Sequence, residues 1–576
     1  MKFPRLLVLA GICCLFVTTT FALDRDAFTF TKYDLNVRVE PEQQRLAVRG
    51  RITLRNDSQA AQKNAELQIS SSLEWRSIRV GGKSIQFVTQ VYTSDIDHTG
   101  ALSEAVITLP QEVKPGGEVE LEVGYEGTVP LDTTRLTRIG TPEDVAKHTD
   151  WDQVGQLFSA VRGVGYAVWY PVAMAAGNLS EGNSLFEVLG KWKAKEAVSN
   201  MHVVLDLFQT QSGTHQTLLG NGDCVQAITE GGTNEYQTTE CSYSPLRFTV
   251  PAFVVGAYGP AEGANLRVWA KPEHKSIADN YLAAADRTIP LVKDWFGNLQ
   301  GKAVVIELPD PQAAPFESGA VLLTQLSDDT KLAEISLVHE LTHAAFHSSR
   351  PWINEGAAHF AQALYREQQA GREAALDYMG LHASAVVQAE KTLRASGNNN
   401  PATSASLITT VDEELYRSKA MFVFWMLRDM IGNAEIKKAL AAYRAEEDNA
   451  PSYLQHLISA QTRRDLEWFF DDWVYRDRGL PDFRVESAYP RKTVLGGYIV
   501  TVTIENLGSA GAEVPVSVRV EGGEVTKRLE VRGGAKASIR IEAPGRPLEV
   551  VVNDGSVPET DLTNNSFKVE VQDTTN

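Results

Sequence analysis

From Tyr33 onward, Leu35, Val37 and Val39 alternate with polar residues; a charged turn follows, and Leu46, Val48, Ile52 and Leu54 take the alternation up again. A period of two puts every second side chain on one face of an extended chain, which is the pattern of a β-hairpin with one face buried. Similar short runs, punctuated by Gly, Asn and Pro, continue to about Gly263. Apolar residues then recur at helical spacing, broken by Val304-Val305-Ile306-Glu307-Leu308, which reads as a buried strand. Helical patterning runs on to Trp473, and Gly479-Leu480-Pro481 marks its end. From Tyr498 the alternation returns with turns at Gly522 and Gly533-Gly534, at the size of an Ig-like β-sandwich. There is no internal repeat. A chain of 576 residues is too long for a single core. The pattern divides it into a leader at 1–22, a β-domain at 23–262, a mostly helical domain at 263–482 and a β-sandwich at 483–576.

The leader changes the cellular picture. Lys2 and Arg5 precede an apolar run from Leu6 to Val17, and Thr20-Phe21-Ala22 stands ahead of an acidic segment, the layout of a secretory signal peptide cleaved after Ala22. Ile12 before Cys13 and Cys14 is not the small residue that a lipoprotein cleavage site requires. No later apolar run is long enough to span a membrane, so the expected product is exported, periplasmic or extracellular. In the whole chain acidic residues outnumber basic ones, 73 against 55, and loss of Lys2 and Arg5 with the leader widens the excess. A surface of that sign disfavours nucleic acid and anionic membranes and keeps the chain in solution. Only Cys224 and Cys241 remain after processing, and between Gly222 and Gly231-Gly232 they read as a disulfide closing a hairpin.

Candidate chemistry lies in the helical region, where His339, Glu340 and His343 form His-Glu-x-x-His and Glu355 follows in Trp352-Ile353-Asn354-Glu355-Gly356. A step of four brings the two imidazoles to one face of a helix about a turn apart, as a tetrahedral Zn²⁺ requires. Glu340 stands roughly 100° round from them, placed to take a proton from zinc-activated water. One zinc held by His339, His343 and Glu355 is therefore expected, with Glu340 as general base of a hydrolysis. Asp328 and Asp329 are N-cap candidates; Leu332, Ile335, Val338 and Leu341 keep a helical period until Pro351, which in turn suits the first position of a second helix carrying Glu355. His347 continues the row, but without a glycine to bend the chain it lies about two turns from His339 and reads as structural. His359 reads as a supporting or packing residue.

With those residues in place, the chain resembles the membrane alanyl aminopeptidase family, the gluzincins that include aminopeptidase N and leukotriene hydrolase. Tyr33-Asp34-Leu35 is similar to the start of that family's saddle-shaped β-domain, Phe253-Val254-Val255-Gly256 to its end, and Trp295-Phe296-Gly297 to the opening of the thermolysin-like catalytic domain. Trp468-Phe469-Phe470-Asp471-Asp472-Trp473 and Gly479-Leu480-Pro481 resemble the end of the catalytic region. Tyr416 with Lys419-Ala420 resembles the Tyr-x-x-Gly-Ala segment, which implies that Tyr416 steadies the oxyanion. The resemblance implies a multidomain α/β protein: an antiparallel β saddle, a thermolysin-like mostly helical catalytic domain and an Ig-like β-sandwich. Its implied activity is removal of N-terminal residues from peptides.

The sequence departs from the family in three places. The connection between His343 and Glu355 is shorter than the family's by about two helical turns. The Gly-Ala-Met-Glu-Asn motif, whose glutamate grips the substrate's amino group, is replaced by Pro315-Phe316-Glu317-Ser318-Gly319-Ala320, leaving Glu317 as the candidate for that role. An acidic Asp-Glu-Pro signature is absent around Trp169-Tyr170-Pro171. An endopeptidase is the alternative if no terminus is recognised. A non-catalytic binding protein on a dead peptidase fold is the reading from another class. The C-terminal domain, with its acidic Asp554–Asn565 loop, is expected to pack onto the catalytic domain, binding of a partner or a surface polymer being the alternative.

Overall fold

The computed structural model describes residues 24–181, 184–208, 216–231, 234–395, 406–410, 412–494 and 496–571. The expected leader, with Cys13 and Cys14, lies outside them. Among the described residues no helix is long and apolar enough to cross a membrane.

The N-terminal alternation becomes an eight-stranded sheet in which Phe28–Glu40 pairs antiparallel with Arg45–Asn56. Leu35, Val37, Val39, Leu46 and Val48 are all buried at 0% exposure, so the period-two reading gave the correct face. One pair departs from an all-antiparallel saddle: Phe28–Glu40 runs parallel to Asn200–Phe208. A parallel neighbour needs a crossover, and the intervening chain supplies one that includes the Ser184–Glu196 helix, which short-strand texture did not reveal. Cys224 and Cys241 face each other across the Asp223–Gly231 and Asn234–Tyr243 hairpin and are joined as a disulfide.

A second sheet of five strands begins at Gly259–Glu262, inside the segment expected to be the β-domain, and continues through Leu266–Ala270, Ala303–Glu307, Val321–Thr324 and Phe316–Ser318. Its centre is parallel and apolar, as the buried Val304–Leu308 run implies. Helices Lys275–Phe296 and Thr330–Ala345 pack on it, Pro351–Ala370 packs on Thr330–Ala345, and Arg372–Ala395 and Ala420–Ile431 pack in turn on Pro351–Ala370. The C-terminal strands form sheets of three and four, with Val500, Val502, Ile504, Val514, Val516 and Val518 pointing inward at 0% exposure.

Two hydrophobic cores form among the described residues. One joins the β-domain to the near face of the five-stranded sheet through Trp269, Ile306, Phe316 and Leu323. The other runs without interruption from the helices into the sandwich. Charge closes the same seam: Arg372 pairs with Asp429 at 2.6 Å and with Asp554 at 3.1 Å, and Arg528 reaches Asp429 at 3.1 Å. Asp554 of the acidic loop is thus turned toward the helical domain. Glu559 of that loop is buried, which pushes its carboxyl up to about 7.

Lys419, where the resembled family has glycine, is almost fully buried and holds Glu390 at 2.5 Å and Asp477 at 2.7 Å. Burial opposes its charge, yet the two carboxylates outweigh that and raise its pKa. Lys419→Met would leave two buried carboxylates side by side. It is expected to destabilise the protein by about 3–5 kcal/mol. An unchanged unfolding midpoint would contradict this.

Candidate metal centre

The helix that carries the motif spans Thr330–Ala345 and opens on Asp329, whose side chain accepts from the backbone N–H groups of Lys331 at 2.9 Å and Leu332 at 3.4 Å. Of the expected apolar stripe, Val338 and Leu341 are buried, but Leu332 is 57% exposed because it lies in the first turn, before the helix meets its neighbours. The helix ends at Ala345, short of Pro351. Phe346 turns extended there to pack against Phe296 and Tyr443, with ring centroids 5.8 and 5.2 Å away. His347 therefore lies past the helix end, and it is not among the clustered ligand-type side chains.

Pro351 occupies the first turn of the second helix, Pro351–Ala370, which presents Glu355 and, one turn later, His359. Gly356 is needed for packing: a Cβ there would stand 2.6 Å from that of Ala420. The helices could not then approach so closely.

Four side chains converge. The Nε2 atoms of His339 and His343 are 3.0 Å apart. Glu355 brings one oxygen to 3.7 Å from His339 and the other to 3.6 Å from His343. Glu317 is closer still, its Oε1 standing 2.8 Å from His339 and 3.2 Å from His343. One donor atom from each of the four lies within 4.8 Å of the others. The imidazoles are buried, at 6% and 5% side-chain exposure, whereas Glu317 at 24% and Glu355 at 16% form the side open to solvent.

This donor set fits a divalent cation. Two ring nitrogens aimed at each other at 3.0 Å leave space for at most one proton between them, and a shared cation satisfies both. Oxygens of Glu340 and Glu355 are buried nearby without a hydrogen-bond partner among the described residues. Such atoms are costly unless something neutralises them.

Supporting groups hold the set in place. Asn354 stands 3.2 Å from Nδ1 of His343 and donates to Glu355 Oε1 at 3.2 Å. His359 packs edge-on to His339 with centroids 4.9 Å apart, and behind it lies His382 at 5.4 Å. Burial and the charge of His339 drive the pKa of His359 well down, so it is a neutral packing group. Arg417 approaches Glu355 Oε2 at 3.5 Å. Burial works against its charge, and Glu355 and Glu413 overcome that, raising its pKa.

Glu340 is 1% exposed. Burial, then Glu317 and Glu355, hold its pKa well above the ordinary carboxyl range. In Glu317 burial has the opposite competitor: His339 and His343 prevail and hold its pKa well below that range. Tyr416 lies on a π-helical turn, Glu414–Lys419, with its hydroxyl donating to Glu413 at 3.1 Å. Sequence reasoning missed Glu413, Arg417 and Lys193. The last comes from the Ser184–Glu196 helix, and burial lowers its pKa against the pull of Glu413 and Glu355. No sequence period marks any of the three.

No family model matches the chain, and no curated protein matches it either. Among solved structures the chain is similar to an aminopeptidase A of Legionella pneumophila, solved in complex with aspartic acid. The TM-score is 0.59 at 13% identity, over 93% of this chain and 59% of that one. The chain thus spans 59% of the length of that aminopeptidase, and the likeness establishes a shared fold. It is also similar to an M1 zinc metallopeptidase of Deinococcus radiodurans, with a TM-score of 0.48 and 16% identity over 80% of this chain and 97% of that one.

Proposed function

We propose that the chain is an exported zinc metallopeptidase of the gluzincin type, with a β-domain at 23–262, a catalytic domain at 263–482 and a sandwich at 483–576. The observation that carries the reading is the cluster of His339, His343 and Glu355 with a buried, unpartnered Glu340 oxygen beside it. When bound, zinc supplies Lewis acidity toward a peptide carbonyl and lowers the pKa of water to about 7. His339, His343 and Glu355 hold the ion. Glu340 takes the proton from the attacking water and returns it to the leaving amine. Tyr416 is the candidate donor to the substrate's developing oxyanion, for which its hydroxyl must turn from Glu413. The expected leader and the Cys224–Cys241 disulfide support export. A complete ligand set with its base argues against a dead fold used for adhesion.

Aminopeptidase action is the first reading, by resemblance, with peptides as substrates and Glu317 as the group for the substrate's ammonium. An endopeptidase is the second. It is favoured by one observation: the Glu317 carboxylate lies against the imidazoles, so it must leave them before it can grip an amine. Comparing one good peptide with its N-acetylated form separates the two. An aminopeptidase is expected to lose at least ~2–3 kcal/mol of transition-state binding, tens-fold or more in kcat/KM, on acetylation. Equal rates would end the aminopeptidase reading and leave the zinc chemistry standing.

A further inference from the structure

We infer that Glu317 is a fourth protein ligand of the metal in the resting enzyme, closing the coordination position that substrate must open. The inference rests on the zinc reading above and adds a residue to it.

Donors about 2.0–2.1 Å from a tetrahedral zinc are separated from one another by ~3.3 Å. Here the imidazole nitrogens are 3.0 Å apart, and Glu317 Oε1 stands 2.8 and 3.2 Å from them. The accepted carboxylate, Glu355, lies further off at 3.7 and 3.6 Å. Glu317 therefore fits the ligand position at least as well as Glu355 does. Two neutral imidazoles with two carboxylates also neutralise a divalent ion, and Arg417 stands 3.5 Å from Glu355 Oε2.

The position of Glu317 is built, not incidental. Its strand, Phe316–Ser318, returns through a two-residue turn in which Gly319 takes φ +66°. That conformation favours glycine. On one side Phe316 packs edge-on to Tyr166 at 5.3 Å, with the Arg162 guanidinium 5.7 Å away. On the other, the Ser318 hydroxyl accepts from the Val250 N–H at 2.8 Å and donates to the Val250 carbonyl at 3.1 Å. Both neighbours of Glu317 are thus pinned by the β-domain, and the carboxylate between them is aimed at the imidazoles. A catalytic zinc keeps an open position and a structural one does not. With Glu317 in place the centre is closed, so hydrolysis requires its carboxylate to swing off the ion when substrate enters.

The test uses the full-length protein. Zinc is titrated into metal-stripped wild type and Glu317→Gln in competition with a chelator, and cobalt(II)-loaded forms are compared by the relaxation of solvent water protons. Wild type should take up one ion. Glu317→Gln should bind it more weakly by more than the ~10–100-fold that loss of a merely supporting group costs. Solvent relaxation should be low in the wild type and rise in the variant. Equal affinities with one ion in each protein would overturn the fourth ligand and leave the zinc reading intact. Strong solvent relaxation in wild type alone would overturn it too, whether or not the variant folds. A wild type that takes up no zinc would overturn the metal reading itself.

Discussion

Glu340→Gln protein is expected to keep its metal while peptide hydrolysis falls by at least ~10²–10⁴-fold, the range a positioned general base contributes. The amide has the shape of the carboxyl it replaces, so the packing of the Thr330–Ala345 helix should survive. Glu340 is 1% exposed, and a neutral amide at this buried position should not weaken the fold. What the variant lacks is the ability to accept a proton. Steady-state kinetics on the same sample used for elemental analysis provides the check. Near-normal turnover would mean that another group is the base.

Loss of a ligand should have the opposite signature. In His343→Ala the metal itself is expected to go, and activity with it. His343 is buried, its Nδ1 is steadied by Asn354, and its Nε2 faces both carboxylates of the cluster. Neither neighbouring histidine can take its position: His347 is beyond the end of the helix and His359 is packed edge-on behind His339. Dialysed wild type should carry one zinc and the variant far less than one. Equal zinc in the two would remove His343 from the ligand set. Together the two variants separate binding of the ion from movement of the proton.

The convergence of the helix-borne candidate ligands was legible because helical chemistry is local. His339 and His343 are one turn apart on a segment with a cap, and Pro351 announces the helix that brings Glu355. Nothing in the local pattern could show that Glu317 meets the imidazoles. That contact depends on how the β-domain seats a three-residue strand at the edge of the five-stranded sheet. Arg417 and Glu413 escaped for a similar reason, since a π-helical turn has no apolar repeat to reveal which way its side chains project. The β-sandwich was readable from alternation, but its continuity with the helical core was not. Val514 or Val516 pointing inward looks the same whether the layer beyond is its own partner sheet or another domain.

The placement of Glu317 has a consequence for what counts as the catalytic unit. By chain order the residue belongs with the helices; by anchorage, through Phe316 on Tyr166 and Ser318 on Val250, it belongs to the β-domain. The three helix-borne donors have their geometry from the helical bundle, whereas the fourth takes its aim from the seating of one domain on another. A shift of that seating would bear on Glu317 first, because the residues on both sides of it are pinned to the β-domain. In such an architecture the number of protein atoms around the ion registers how firmly two domains are docked, and the joint between them is itself a part of the site.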